Sequence, residues 1–165
     1  MPRLLISDAN ILIDLEHGGL SRHAFQAGFE IAALDSMYEE ELRAHHPNLK
    51  ALGLRLLPLA PEGIAAALDL VARHQGSGTG TNDLLSLALA IQERCPLLSG
   101  DAKLRRVAEK EGHVVRGTLW LMQTMFDAGA VNLAKVEAAY ARMKANGRRL
   151  PWDEVERQIS QMRSV

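Results

Sequence analysis

The chain reads as an α/β domain in which short strands alternate with helices. Brief apolar runs at 4–7, 31–34, 54–59, 97–99 and 113–115 are too short for helices and read as strands. Longer segments with helical spacing of their apolar residues separate these runs. Glycines and prolines punctuate the joints. Such alternation builds a parallel sheet covered by helices.

Each element has a local reason. Residues 4–7 (LLIS) run into Asp8 and form a buried first strand. Residues 9–15 (ANILIDL) begin a helix or turn, which Gly18 and Gly19 stop. After the strand at 31–34, Ser36 is expected to cap a helix over 37–44, with Glu39 as its capping-box partner and Pro47 as its end. The strand at 54–59 lies between Gly53 and Pro58, and Pro61-Glu62 opens a helix reaching about Arg73. Ile64, Leu68 and Val71 share one face of it. Residues 75–82 (QGSGTGTN) form a flexible loop that lacks the lysine of a phosphate-binding P-loop. The helix from Asp83 to Arg94 is almost wholly apolar and belongs at the centre. Gly100-Asp101 turns the strand at 97–99 into a charged helix, 102–111, which Gly112 closes before the strand at 113–115. Three helices follow, about 118–128, 133–145 and 152–163. Asn132 caps the second of them, Asn146-Gly147 ends it and Pro151 starts the third. Residues 1–165 are read as one domain, with 117–165 as a helical extension packed on the sheet or on a partner.

Composition narrows the function. With 165 residues the chain can bury a full core. Aromatics are only 4%, which argues against a broad base-stacking sheet. No apolar run reaches the ~18 residues of a membrane span, and the start lacks the features of a signal peptide. A single cysteine, Cys95, forms no internal disulfide and fits a buried, inert thiol in a reducing compartment. A cytoplasmic location is the expectation. Net charge is −1, but it is unevenly spread. Residues 1–100 hold 7 Lys+Arg against 12 Asp+Glu, while 101–165 hold 12 against 8. An acidic site beside a basic neighbourhood suits a polyanion cut by metal ions, although solvated helix charges would give the same balance.

Four acids stand at the carboxyl ends of apolar stretches or on the helices that follow: Asp8, Glu41, Asp83 and Asp101. In an α/β sheet those ends converge on one edge. Carboxylates brought together repel unless a cation lies among them. Hard oxygen ligands select Mg²⁺ or Mn²⁺, which most often handles phosphate esters.

Each acid also has a plain structural reading. Asp8 serves as a turn residue, Asp83 and Asp101 serve as helix caps, and Glu41 is a solvated charge. Asp14 and Glu16 read as surface charges. None of the six histidines has the i, i+4 spacing of a zinc site. His45 and His46, with Arg43 and Lys50, are better read as solvated than as RNA contacts. Lys103, Arg105 and Arg106, just after Asp101, either contact phosphate or pair with Glu109. Leu119, Met122, Met125 and Phe126 form a core or interface stripe, and Trp120 and Trp152 pack by default.

DANILIDL (8–15), EEEL (39–42), NDLLSLALA (82–90) and SGDAKLRRVAEKEG (99–112), in that order, resemble a PIN domain. This is the metal-dependent nuclease fold of VapC-type toxins. GTLWLMQTMFDAGAVN (117–132) is similar to a prokaryotic subgroup, so the resemblance covers about 3–132. It implies a three-layer α/β/α sandwich around about five parallel strands and cleavage of RNA by a metal-activated water. It further implies a restraining antitoxin and a homodimer, for which the last helices would offer apolar faces. Asp8, Glu41, Asp83 and Asp101 become the catalytic, metal-holding acids, with Asp8 and Asp101 as direct ligands. Asn10, Ser99 and Thr81 or Thr79 line the pocket. The run Glu39-Glu40-Glu41 leaves Glu40 beside Glu41 as a candidate second acid. Lys103 and Leu104 stand where many members carry a further acid, which weakens the case for a second metal.

Two other classes compete. A non-catalytic RNA-binding or interaction module of the same fold usually lacks one of the acids. Phosphotransfer domains also place aspartates at strand ends, but D-A-N at 8–10 is not the D-x-D of dehalogenase-like enzymes. Arg116-Gly117 also lacks the lysine that a receiver domain needs.

Overall fold

In the computed structural model, which describes residues 3–165, five short strands form one parallel sheet. They are β1 (Arg3–Ser7), β2 (Phe29–Leu34), β3 (Arg55–Leu57), β4 (Leu97–Leu98) and β5 (Val115–Arg116). Helices flank the sheet in the expected α/β/α arrangement. Leu5, Ile6, Ile31 to Leu34, Leu97 and Leu98 are all buried, which is why the strands read as continuous apolar runs rather than alternating ones.

The strand order is β3-β2-β1-β4-β5. The chain winds outward from β1 to β3, then returns to the other side of β1 with β4. Strand order therefore reverses between β1 and β4, and the crevice at their carboxyl ends is where such sheets bind ligands. The two ends are locked in register, with Ser7 opposite Leu98 and the Asp8 N–H donating to the Leu98 carbonyl at 2.9 Å.

Helices α1 (Ala9–His17) and α2 (Ser21–Gln26) link β1 to β2. Next come α3 (Asp35–Met37), which continues as a π-helical turn over Tyr38–Leu42, and α4 (Leu49–Leu52). Helix α5 (Pro61–Arg73) follows β3, and α6 (Thr81–Glu93) and α7 (Ala102–Lys110) bracket β4. The carboxyl-terminal helices are α8 (Thr118–Asp127), α9 (Leu133–Ala145) and α10 (Trp152–Arg163). As expected, α6 is central, with Leu84, Leu87, Leu89 and Ala90 buried. It packs closely on α5, whose first turn has no side-chain cap of its own. Gln92 of α6 supplies one, its Oε1 accepting the Ala60 N–H at 2.7 Å. A Cβ on Gly63 would run into that same oxygen, which accounts for glycine inside the helix. Burial pushes the Cys95 thiol up to about 11, keeping it neutral.

Several expectations need correction. Ser36 caps nothing; its N–H donates to Asp35 Oδ1 at 2.7 Å and the helix starts at Asp35. Helices α2 and α4 are too short to show periodicity and lie in stretches to which the sequence assigns no element. Strand β5 lies at Val115–Arg116 rather than 113–115, because Leu97 and Leu98 pair with those two residues. His113 is taken up otherwise, its N–H closing α7 on the Ala108 carbonyl and its Nε2 meeting the Cys95 carbonyl at 2.7 Å.

The last helices do not expose apolar faces. Leu121, Met122, Met125, Val136, Met143, Val155 and Met162 are all buried. Helix α9 packs on α1, and α10 packs on α8 and α9. Large apolar side chains are exposed elsewhere, at Ile64 and Leu68 on α5 and Ile91 on α6. No helix among the described residues is long and apolar enough to cross a membrane.

Asn132 caps α9, its Oδ1 accepting the Lys135 N–H at 2.8 Å. Asn132→Ala is expected to cost about 1 kcal/mol, read as a lowered urea midpoint with unchanged slope.

Candidate active site

Asp8 and Asp101 end adjacent strands at the point where strand order reverses, and each caps the helix that follows. Asp8 Oδ1 accepts the Ile11 N–H at 3.0 Å, and Asp101 Oδ1 accepts the Leu104 N–H at 2.9 Å. Capping and ligand binding do not exclude each other, because a carboxylate has two oxygens and a cap uses one. The second oxygen of Asp8, Oδ2, is buried without any hydrogen-bond partner. A buried polar atom left so is costly and calls for an explanation such as an ion. Ser99, fully buried, holds the turn between β4 and α7, its Oγ accepting the Asp101 N–H at 3.1 Å.

Asp83 is not a cap. Helix α6 begins at Thr81, with Gly80 in the cap position, and places Asp83 in the first turn. The Asp83 carboxyl is raised to about 6, by burial first and then by the charges of Asp101 and Glu41. Asp8 is raised to about 7, chiefly by burial, with Asp83 and Asp14 adding to it. The Ser99 hydroxyl and Ile11 amide pull the other way but do not offset the burial. Ser99 does so without completing a hydrogen bond to either Asp8 oxygen. Asp83 thus feels the charges of Asp101 and Glu41, and its own charge in turn acts on Asp8, so it links the group.

The π-turn changes the second motif. Its wider winding turns two consecutive glutamates toward α6, where the Asn82 Nδ2 donates to Glu40 Oε2 and to Glu41 Oε2, both at 2.9 Å. Glu40 and Glu41 are geometrically equivalent partners of Asn82. The sequence reading passed over Asn82, whose only signal is its place beside Asp83. These residues and Thr81 line a crevice of about 360 Å³. The Thr79 hydroxyl is buried and unpartnered.

Asp14 is the clearest departure from expectation. Far from a surface charge, it is buried, with Thr118 Oγ1 donating to Oδ2 at 2.9 Å and Arg148 Nε donating to Oδ1 at 2.6 Å. Arg148 also donates from Nη2 to the carbonyl and Oδ1 of Asn10, at 3.3 and 3.2 Å. The turn after α9 is therefore clasped to the first helix beside Asp8. Glu16 is likewise engaged, with His46, and Arg43 pairs with Glu39 at 2.8 Å, so neither of these side chains is free. Lys103, Arg105 and Arg106 diverge. The amine of Lys103 lies near Gly78, Arg105 turns toward Gly117, and Arg106 is exposed. None of the three pairs with Glu109 among the described residues.

Among the described residues, no three His, Cys, Asp or Glu side chains stand close enough to share one ion. Mg²⁺ asks for less, taking one or two carboxylates directly and keeping several waters. Paired hard oxygens with one orphaned buried atom fit such an ion, with Asp8 and Asp101 positioned to offer a free oxygen each.

None of the curated proteins compared matches the chain. A protein-family model, DUF3368, described as a PIN domain, matches residues 4–164. The match runs past residue 132 through α9 and α10, so these helices lie within the family's own pattern. PIN domains are typically nucleases that use divalent metals. With nearly its whole length matched, and with the five-stranded parallel sheet that goes with it, the chain belongs to the PIN-domain family.

Proposed function

We propose that the protein is a metal-dependent endoribonuclease that hydrolyses RNA phosphodiester bonds. The observation that carries this reading is the electrostatic coupling of Asp83 to Asp8, Asp101 and Glu41 around an orphaned carboxylate oxygen at the strand-reversal crevice. Such a group repels itself and gains by taking up a cation. When bound, Mg²⁺ or Mn²⁺ supplies a water of lowered pKa and neutralises phosphate charge. Asp8 and Asp101 would hold the ion from the two strand ends. Asp83 and Glu41, on helices, would hold waters or take a proton from the attacking one. Asn82 keeps Glu41, and with it Glu40, turned into the crevice. Ser99 orients Asp101 through its N–H, and Asn10, itself held by Arg148, lines the neighbouring cavity.

The VapC-like role, with an antitoxin that restrains the enzyme, rests on the resemblance of the motifs. A homodimer would be expected to use the exposed α5–α6 face rather than the last helices. The chain is read as one domain because a single cluster of buried residues runs from Leu5 to Met162.

Titration of purified protein with Mn²⁺ or Mg²⁺ over a mixed RNA substrate tests the reading. Wild type is expected to cut only with metal, and Asp101→Asn and Asp83→Asn to lose at least about a hundredfold in rate. Cleavage that persists in chelator, or that both variants retain, would sink it. Metal binding without cleavage of any RNA would favour the non-catalytic module.

A further inference from the structure

A second cavity adjoins the acids, and two of its cations have no carboxylate partner. It holds about 570 Å³, with Asn10 and Asp101 on one side and the turn between α9 and α10 on the other. Arg105, Arg148 and Arg149 all line it. Arg148 is engaged with Asp14 and Asn10. Arg105 and Arg149 form no ion pair among the described residues.

Arg105 is half-buried. A guanidinium gives up hydration at a cost unless an anion replaces the water. Its Nη2 lies beside Gly117, 3.7 Å from where a Cβ would stand, an ordinary contact distance. Three carboxylates line the cavity. Asp101 belongs to the acidic group, and Glu154 is exposed on the first turn of α10. Asp14 is already answered by Arg148.

Planar guanidinium forks match phosphate oxygens in pairs. A ligand that places one phosphate on them and the next toward a cation-seeking acidic group is a phosphodiester strand. We infer that this cavity is a strand-binding subsite in which Arg105 and Arg149 hold a backbone phosphate next to the one at the acids. The carboxyl-terminal turn thus supplies part of the substrate site. The inference rests on the nuclease reading for the identity of the strand as RNA.

The test is fluorescence anisotropy with a labelled single-stranded RNA oligonucleotide over a salt series. Ca²⁺ replaces Mg²⁺ or Mn²⁺, to balance the acids without supporting cleavage. Arg105→Ala/Arg149→Ala is expected to weaken binding at least about tenfold at low salt. It is also expected to flatten the slope of log affinity against log salt by about 1.4, since each single-strand phosphate contact accounts for about 0.7. Both arginines are unpaired, so the melting midpoint stays that of wild type. Arg157→Ala, exposed on α10 and outside this cavity, leaves affinity unchanged. An unaltered affinity and slope in the double variant overturns the inference, as does a wild type that does not bind the oligonucleotide. Arginine-dependent binding by a protein that never cleaves RNA with Mg²⁺ or Mn²⁺ removes the nuclease reading and leaves the subsite standing.

Discussion

Asp8→Asn is expected to lose RNA cleavage and, in the absence of metal, to be more stable than wild type above neutral pH. The Asp8 carboxyl is shifted from an ordinary 3.8 to about 7 by burial. Such a rise disfavours the ionised form in the fold by roughly 4 kcal/mol. The sign follows from proton binding. The folded chain holds this proton more tightly than the unfolded one, so stability falls as pH rises from 3.8 to about 7 and stays reduced beyond. Asparagine carries no charge to desolvate, and it keeps an oxygen for the Ile11 N–H as an equally good cap. Its new N–H₂, placed where Oδ2 has no partner, returns about 1–3 kcal/mol of that relief. The net gain is about 1–3 kcal/mol at pH 8 and less at pH 5. Urea melts of both proteins in chelator, at acidic and alkaline pH, check this. A gain of equal size at both would mean that the buried charge is not its source.

Arg148→Ala is expected to be the most destabilising of the substitutions considered. It leaves the Asp14 carboxylate buried with only the Thr118 hydroxyl for company. Breaking a buried pair from one side costs about 3–5 kcal/mol, and for a domain of this size that lowers the melting temperature by on the order of 10 °C. It also frees Asn10, so cleavage should fall along with stability. Adding Asp14→Asn should restore part of the stability, because no charge is then stranded. Equal melting temperatures for wild type and Arg148→Ala would show that the pair contributes nothing.

Asp14 also shows where sequence reading stops. Its partners, Thr118 and Arg148, lie 104 and 134 residues further on, and nothing in LLISDANILIDL announces them. The main framework was legible because its signals are local. Proline and glutamate at 61–62 marked the start of α5, Asn132 marked that of α9, and the apolar run of α6 marked its burial. The four acids could be named for the same reason, since each follows or heads an apolar element. Their coupling through Asp83, however, depends on strand order, which no local pattern encodes. The π-turn is equally silent, and the bonds of Asn82 to both Glu40 and Glu41 have no signal in the sequence. Strand β5 slipped by two residues because pairing with β4, not the hydropathy of His113 to Val115, sets its place.

The clasp between Asp14 and Arg148 has a consequence for timing. The ribosome delivers residue 14 early and residue 148 only 134 residues later. At ~5–20 residues per second, that interval is on the order of ten seconds. Throughout it, the helix that carries Asn10 and follows Asp8 lacks its fastener, and any chain cut short before the α9–α10 turn lacks it permanently. Interrupted synthesis would therefore yield fragments with a stranded carboxylate and a loosened first helix, marked for proteolysis rather than for activity.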